Sequence, residues 1–134
     1  MRTWLNISFV ALGAVASVVI ALPAYGHHSF AASYFEDQSV SIEGDVVEFD
    51  YQNPHAWVHV AAVDLSGRTQ KVSAEWAGPG RLSQQGITKT TVKPGDRVIM
   101  TGSPARDPAA YKLHLKRIER PADGWKWIGR DQPR

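Results

Sequence analysis

The amino-acid sequence predicts an all-β protein: a small five-stranded OB-like barrel with one short helix between strands 3 and 4, preceded by a signal peptide. Three observations carry this expectation. Short runs of alternating apolar and polar residues recur between turn signals from residue 40 onward. Their order is three strands, a short helical segment and two strands, the chain order of an OB barrel, although a sandwich can share it. The 134-residue chain contains no cysteine, so no disulfide or thiolate metal site can hold the domain and its core must do so alone.

The elements follow in order. Arg2 is the only charge before Glu36, histidines aside, and Trp4 to Leu22 is almost wholly apolar or small. Pro23 ends that run, and Ala24-Tyr25-Gly26 places small residues at the −3 and −1 positions of a cut. A positive start, an apolar middle and a small-x-small end make a secretory signal. A retained anchor is the rival, because about 18 apolar residues can span a bilayer. The Pro23 break favours cleavage after Gly26, with a second cut conceivable after Ala24. The expected organisation is a signal peptide over 1–26, an extended arm over 27–39 and a barrel domain over 40–134.

The first strand is expected over Val40 to Phe49, with a change of phase near Gly44-Asp45 that suggests a bulge. Asn53-Pro54 is a turn signal. His55 to Asp64 reads as the second strand, with Ala56, Val58, Val60 and Ala62 on the interior face and His55, Trp57 and His59 on the outer one. Leu65-Ser66-Gly67 turns into a third strand, Arg68 to Ala77, on which Glu75 faces away from Val72, Ala74 and Trp76. Arg81 to Gly86 reads as a short helix stopped by glycine. Lys93-Pro94-Gly95-Asp96 turns into a fourth strand, Arg97 to Gly102, and Tyr111 to Glu119 is the fifth. A Trp125-Lys126-Trp127-Ile128 strand or tail closes the chain.

Charge bounds the function. Loss of residues 1–26 leaves 108 residues with 14 bases against 13 acids. That near-neutral balance, together with export, argues against a nucleic-acid binder. The charge is uneven: Glu36 to Asp50 holds six acids and no base, and Lys112 to Arg120 holds four bases and one acid. Neighbouring strands in a barrel can neutralise one another.

The combination His27-His28-Ser29-Phe30-Ala31-Ala32, Asp37, Asn53-Pro54-His55-Ala56-Trp57, Glu75 and Lys93-Pro94-Gly95-Asp96 resembles the small exported bacterial proteins grouped as domain-of-unknown-function family 6152. The resemblance covers essentially the whole mature chain. It implies an exported OB-like barrel and brings no activity or catalytic residue with it.

The histidines carry the chemistry. Cleavage after Gly26 would give His27 a free α-amine beside its imidazole, a chelating pair that no internal histidine has. His28 offers a competing mode through the same amine, its own amide nitrogen and its ring. Both modes suit copper, nickel or zinc, and copper binds most tightly at a given nitrogen site. Their plain reading is a solvated terminus. His55 and His59 lie two strand steps apart on the outer face, and an arm carrying His27 could pack across it. Either is otherwise an ordinary turn or half-exposed strand histidine. Glu75 offers a carboxylate to a metal or to a ring N–H, or pairs with Lys71 or Arg68. His114, between Lys112 and Lys116, reads as surface. With only Met100 in the mature chain, a thioether Cu(I) site is excluded and Cu(II) on nitrogen is the form to expect.

No HExxH, P-loop, GxGxxG or GxSxG occurs. The leading expectation is therefore a non-catalytic periplasmic or secreted binding protein. Its metal candidates are His27, His28, His55, His59 and Glu75, with copper as the cofactor. The alternative is a metal-free module that binds a small molecule, an oligosaccharide or an envelope protein on an aromatic face of Trp57, Trp125 and Trp127. A copper-activating enzyme is the third reading, and nothing marks a substrate surface for it. After cleavage no membrane association is expected.

Overall fold

The computed structural model describes residues 30–130. The expected signal peptide over 1–26, His27 and His28 lie outside the described residues. The elements run α1 (Phe30–Ser33), β1 (Val40–Asp50), β2 (Trp57–Val63), β3 (Thr69–Glu75), α2 (Pro79–Ser83), β4 (Arg97–Pro104), a 3₁₀ turn (Pro108–Ala110), β5 (Lys112–Arg120) and β6 (Trp125–Ile128). The sheet order is β3-β2-β1-β4-β5-β6, and a further parallel pairing of β3 with β5 closes the first five strands into a barrel. Strand β6 is an added hairpin partner outside the closed ring. Among the described residues no helix is long and apolar enough to cross a membrane.

Alternation decides which faces are buried. On β2, Val58, Val60 and Ala62 are buried, whereas Trp57, His59 and Ala61 are only partly covered. The aliphatic set therefore fills the barrel and the histidine set faces out, as the period-two pattern predicts. Met100, Leu113, Leu115, Ile118 and Trp76 complete the centre of the core.

Two irregularities bend the closed sheet. The register of β1 on β2 slips between Val46 and Glu48, leaving Val47 unmatched and exposed. The bulge expected near Gly44 thus falls a few residues later. Gly44 instead permits close approach. A Cβ there would press on the Ala61 carbonyl oxygen, so the bare backbone lets β1 lie close over β2. The second slip lies between Thr101 and Gly102, opposite Arg117 and Leu115. It shifts the burial phase of β5, where Leu115 is followed by Ile118 rather than by residue 117 as the next core side chain.

Helix α2 begins two residues earlier than expected, because Pro79 supplies the fixed φ of a first helical position. Gly86, at φ 78°, ends the segment, and the Ile87 amide bonds back to the Leu82 carbonyl. The Lys93–Asp96 turn locks onto β1: the Gly95 amide donates to Val46 and the Val46 amide to Asp96, each at 2.8 Å.

The arm, expected to be extended, opens with a helical turn. The Tyr34 amide donates to the Phe30 carbonyl at 2.7 Å, which puts the two aromatic rings on one side of the turn. The Phe35 amide then donates to Pro104, the Arg106 amide to Ser33, and the Arg106 guanidinium sits 4.5 Å from the Phe35 ring centroid. These contacts tie the arm to the end of β4 and lay Phe30 and Tyr34 over the outer face of β3 and β5.

Candidate functional site

Under that arm the outer face holds two histidines, each backed by a carboxylate. His55, at the entry to β2, places Nδ1 2.6 Å from Glu75 Oε1 at the end of β3. The buried Tyr34 hydroxyl donates to the other oxygen of Glu75. Burial, together with the Glu75 carboxylate, pushes the Tyr34 phenol far above its ordinary pKa and keeps it a donor. Glu75 is thus no solvated strand residue. Lys71 and Arg68, its expected partners, pair with Glu48 and Asp64 instead, each at 3.5 Å.

His114 sits directly opposite Glu75 in the parallel β3–β5 register. Its Nδ1 lies 2.8 Å from Glu36 Oε1, and Lys116 Nζ donates to Glu36 Oε2 at 2.7 Å. Burial lowers the His114 pKa, with the Lys116 charge adding to the effect and Glu36 opposing it. Burial also acts to raise Glu36, but its bonds to Lys116 and His114 outweigh that and hold the carboxyl below its ordinary value.

Phe30 joins the two histidines. Its ring stacks on His114 at 3.6 Å and 5°, and on His55 at 5.3 Å and 27°. A carboxylate at Nδ1 assigns the ring proton there and leaves Nε2 as the lone-pair nitrogen. Among the described residues neither Nε2 has a hydrogen-bond partner. Each ring therefore offers one oriented imidazole nitrogen for a metal or a donor.

The structure brings His55 and Glu75 together and turns His59 elsewhere. His59 Nδ1 is 2.7 Å from Ser73 Oγ and Nε2 is 3.3 Å from Asp50 Oδ2. With Glu48 and Asp50 it forms a separate group whose potential ligand atoms all lie within 4.8 Å of one another. His27 and His28 lie outside the described residues. Chain position alone ties them to Phe30, three and two residues before it.

The three tryptophans expected on one aromatic face lie in three settings. Trp57 stacks beside His59 at 6.4 Å, Trp125 lies 5.2 Å beneath the Arg120 guanidinium, and Trp127 meets Trp76 edge-on at 5.0 Å. His114 is the site residue that sequence reasoning missed. Its strand position is correct, but nothing in the alternation of β5 reveals that Phe30 covers it.

Over residues 14–114 the chain matches a family model described as "Family of unknown function (DUF6152)". No curated protein matches the chain.

Proposed function

The chain belongs to the DUF6152 family, and from that premise we propose that it is a small exported β-barrel binding protein that holds one transition-metal ion, copper as Cu(II), on nitrogen ligands. The family brings no activity, so the chemistry of the outer face supports the reading. One observation carries it: the His55–Glu75 pair, in which a carboxylate, itself bonded by buried Tyr34, fixes an imidazole whose Nε2 has no partner among the described residues. A carboxylate behind a histidine raises its basicity and sets its tautomer, the usual outer-shell arrangement of metal-bound imidazole.

In this reading His27, at the new N-terminus left by the signal cut, supplies its amine and ring, and His55 supplies the third nitrogen. Phe30 rests on the His55 ring, and His27 precedes Phe30 by three residues in the sequence. His28 competes with His27 for the same amine. Glu75 acts behind His55, and His59, facing Asp50 and Ser73, stays outside this set. Imidazole and amine nitrogens favour Cu(II) among the divalent first-row ions. In this reading the ion is bound as cargo or as a structural ligand.

The test is a Cu(II) titration of the protein as cells process it, with intact mass fixing the first residue. A chain beginning at His27 should bind about one Cu(II), and Glu75→Gln should weaken binding by about 10–100-fold through loss of ring orientation. Absence of saturable binding by such a chain, or unchanged affinity after His55→Ala, refutes the reading.

A further inference from the structure

A second site lies beside the arm and is built from different chemistry. A cavity of about 190 Å³ opens between α2, the middle of β5 and the chain just after β6. Trp76, Trp127 and Phe30 give it aromatic walls, and Arg81, Lys116 and Arg130 give it cations. Ala77 and Gly129 also line it, and their small size leaves the space open. The Gly129 amide donates to the Lys116 carbonyl at 2.8 Å and pins the β6 end of the wall.

The polar groups here are unbalanced. Among the described residues no Asp or Glu lines the cavity. Lys116 is bonded to Glu36, but Arg81 and Arg130 have no carboxylate partner among the described residues. Trp127 Nε1 donates to Gln85 Oε1 at 2.6 Å, which fixes the indole and leaves its apolar surface to the cavity. Trp76, 1% exposed, has its Nε1 buried with no acceptor among the described residues. That nitrogen is sealed from the cavity, so Arg81, Lys116 and Arg130 set the polar character of the space.

From this arrangement we propose that the cavity binds a small planar organic carboxylate, a single aromatic ring bearing one negative charge. The ring lies against the Trp127 indole, with Phe30 at the rim, and the carboxylate is held by the Arg81 and Arg130 guanidiniums, whose planar forks match it. Size sets the class: drug-sized ligands fill about 300–1,000 Å³, and this cavity admits one ring. An inorganic anion would leave the aromatic walls unfilled, and a neutral ring would leave the cations unused. Phe30 and His114 border both this cavity and the histidine face, but neither His27 nor His55 lines it, so its ligand can be tested without metal.

Benzoate is the probe, titrated into metal-free protein and read by tryptophan fluorescence, with benzyl alcohol and inorganic phosphate as controls. Saturable benzoate binding is expected, with both controls at least about tenfold weaker, because one charge-assisted pair is worth that factor or more. Arg81 is exposed, so Arg81→Ala should fold with an unchanged melting temperature and weaken benzoate by about tenfold. Trp127→Leu should also lose the ligand. The proposal is overturned by an absence of saturable signal, by benzyl alcohol or phosphate binding as well as benzoate, or by wild-type affinity in Arg81→Ala. It survives a failure of copper binding, since the titration contains no metal.

Discussion

At the scale of single residues, the decisive group is Glu75. Its two oxygens serve two different segments: one holds His55, just before β2, and the other accepts from Tyr34 of the arm. Removing the phenol leaves a half-buried carboxylate oxygen without its donor. Tyr34→Phe is therefore expected to destabilise the protein by about 1–3 kcal/mol, measured as a lower urea midpoint at unchanged m-value. An unchanged midpoint would mean that water replaces the hydroxyl at no cost. Under the proposed function the same substitution should weaken Cu(II) binding less than Glu75→Gln does, because Glu75 keeps its bond to His55. Glu75 could be placed on the outer face from the alternation of its strand, but its partners could not. Period two states which side of a sheet a side chain faces, and says nothing about an aromatic 41 positions away in sequence.

At the scale of elements, closure depends on places where backbones meet too closely for side chains. Gly102 sits at the β4–β5 register slip, and a Cβ there would collide with the His114 carbonyl oxygen. The neighbour is backbone in a paired strand and cannot swing aside. Gly102→Ala should cost about 1–3 kcal/mol as an overpacked site and should reduce amide-exchange protection along β4 and β5 together. Full protection in the variant would show that the slip relaxes to admit the methyl group. The predicted strands stand within a few residues of those observed, because turn residues and alternation are local properties. At Phe30–Ser33 the sequence predicts extended chain, where the structure has a helical turn. Four residues carry no useful period, and the turn is held by contacts to Pro104 and Arg106 in a distant loop. Strand β6, whose Trp125 and Trp127 share a face, gains its partner only from the far end of β5.

At the scale of the whole molecule, the arm, β3 and β5 form one electrostatic unit whose stability depends on pH. The Glu36 carboxyl lies below its ordinary 4.5 when folded, so its contribution is complete above that value and is lost as pH falls through the folded pKa. His114 is also depressed, from an ordinary 6.5. Below 6.5 the unfolded chain takes up that proton before the folded one does, so falling pH favours unfolding there as well. Both slopes have the same sign. The melting temperature should fall steadily from about pH 7 to pH 4, and Glu36→Gln should flatten the acid end of the curve. A level profile across that range would contradict the pairing of the arm with β5.

The sequence by itself determined the barrel class, the order of elements along the chain, the face on which His55 and Glu75 stand, and the family. Each is written in local alternation, turn chemistry or short words such as His27-His28-Ser29-Phe30 and Asn53-Pro54-His55-Ala56-Trp57. Only the tertiary structure decided that Tyr34 and Glu75 meet, that His114 is covered rather than solvated, that His59 turns to Asp50, and that Trp127 walls a cavity with Trp76 rather than sharing a face with Trp57. The physical reason is barrel closure. Pairing β3 with β5 sets Glu75 beside His114, and the arm can then dock Phe30 and Tyr34 over both. No local period in the chain encodes that meeting of distant segments.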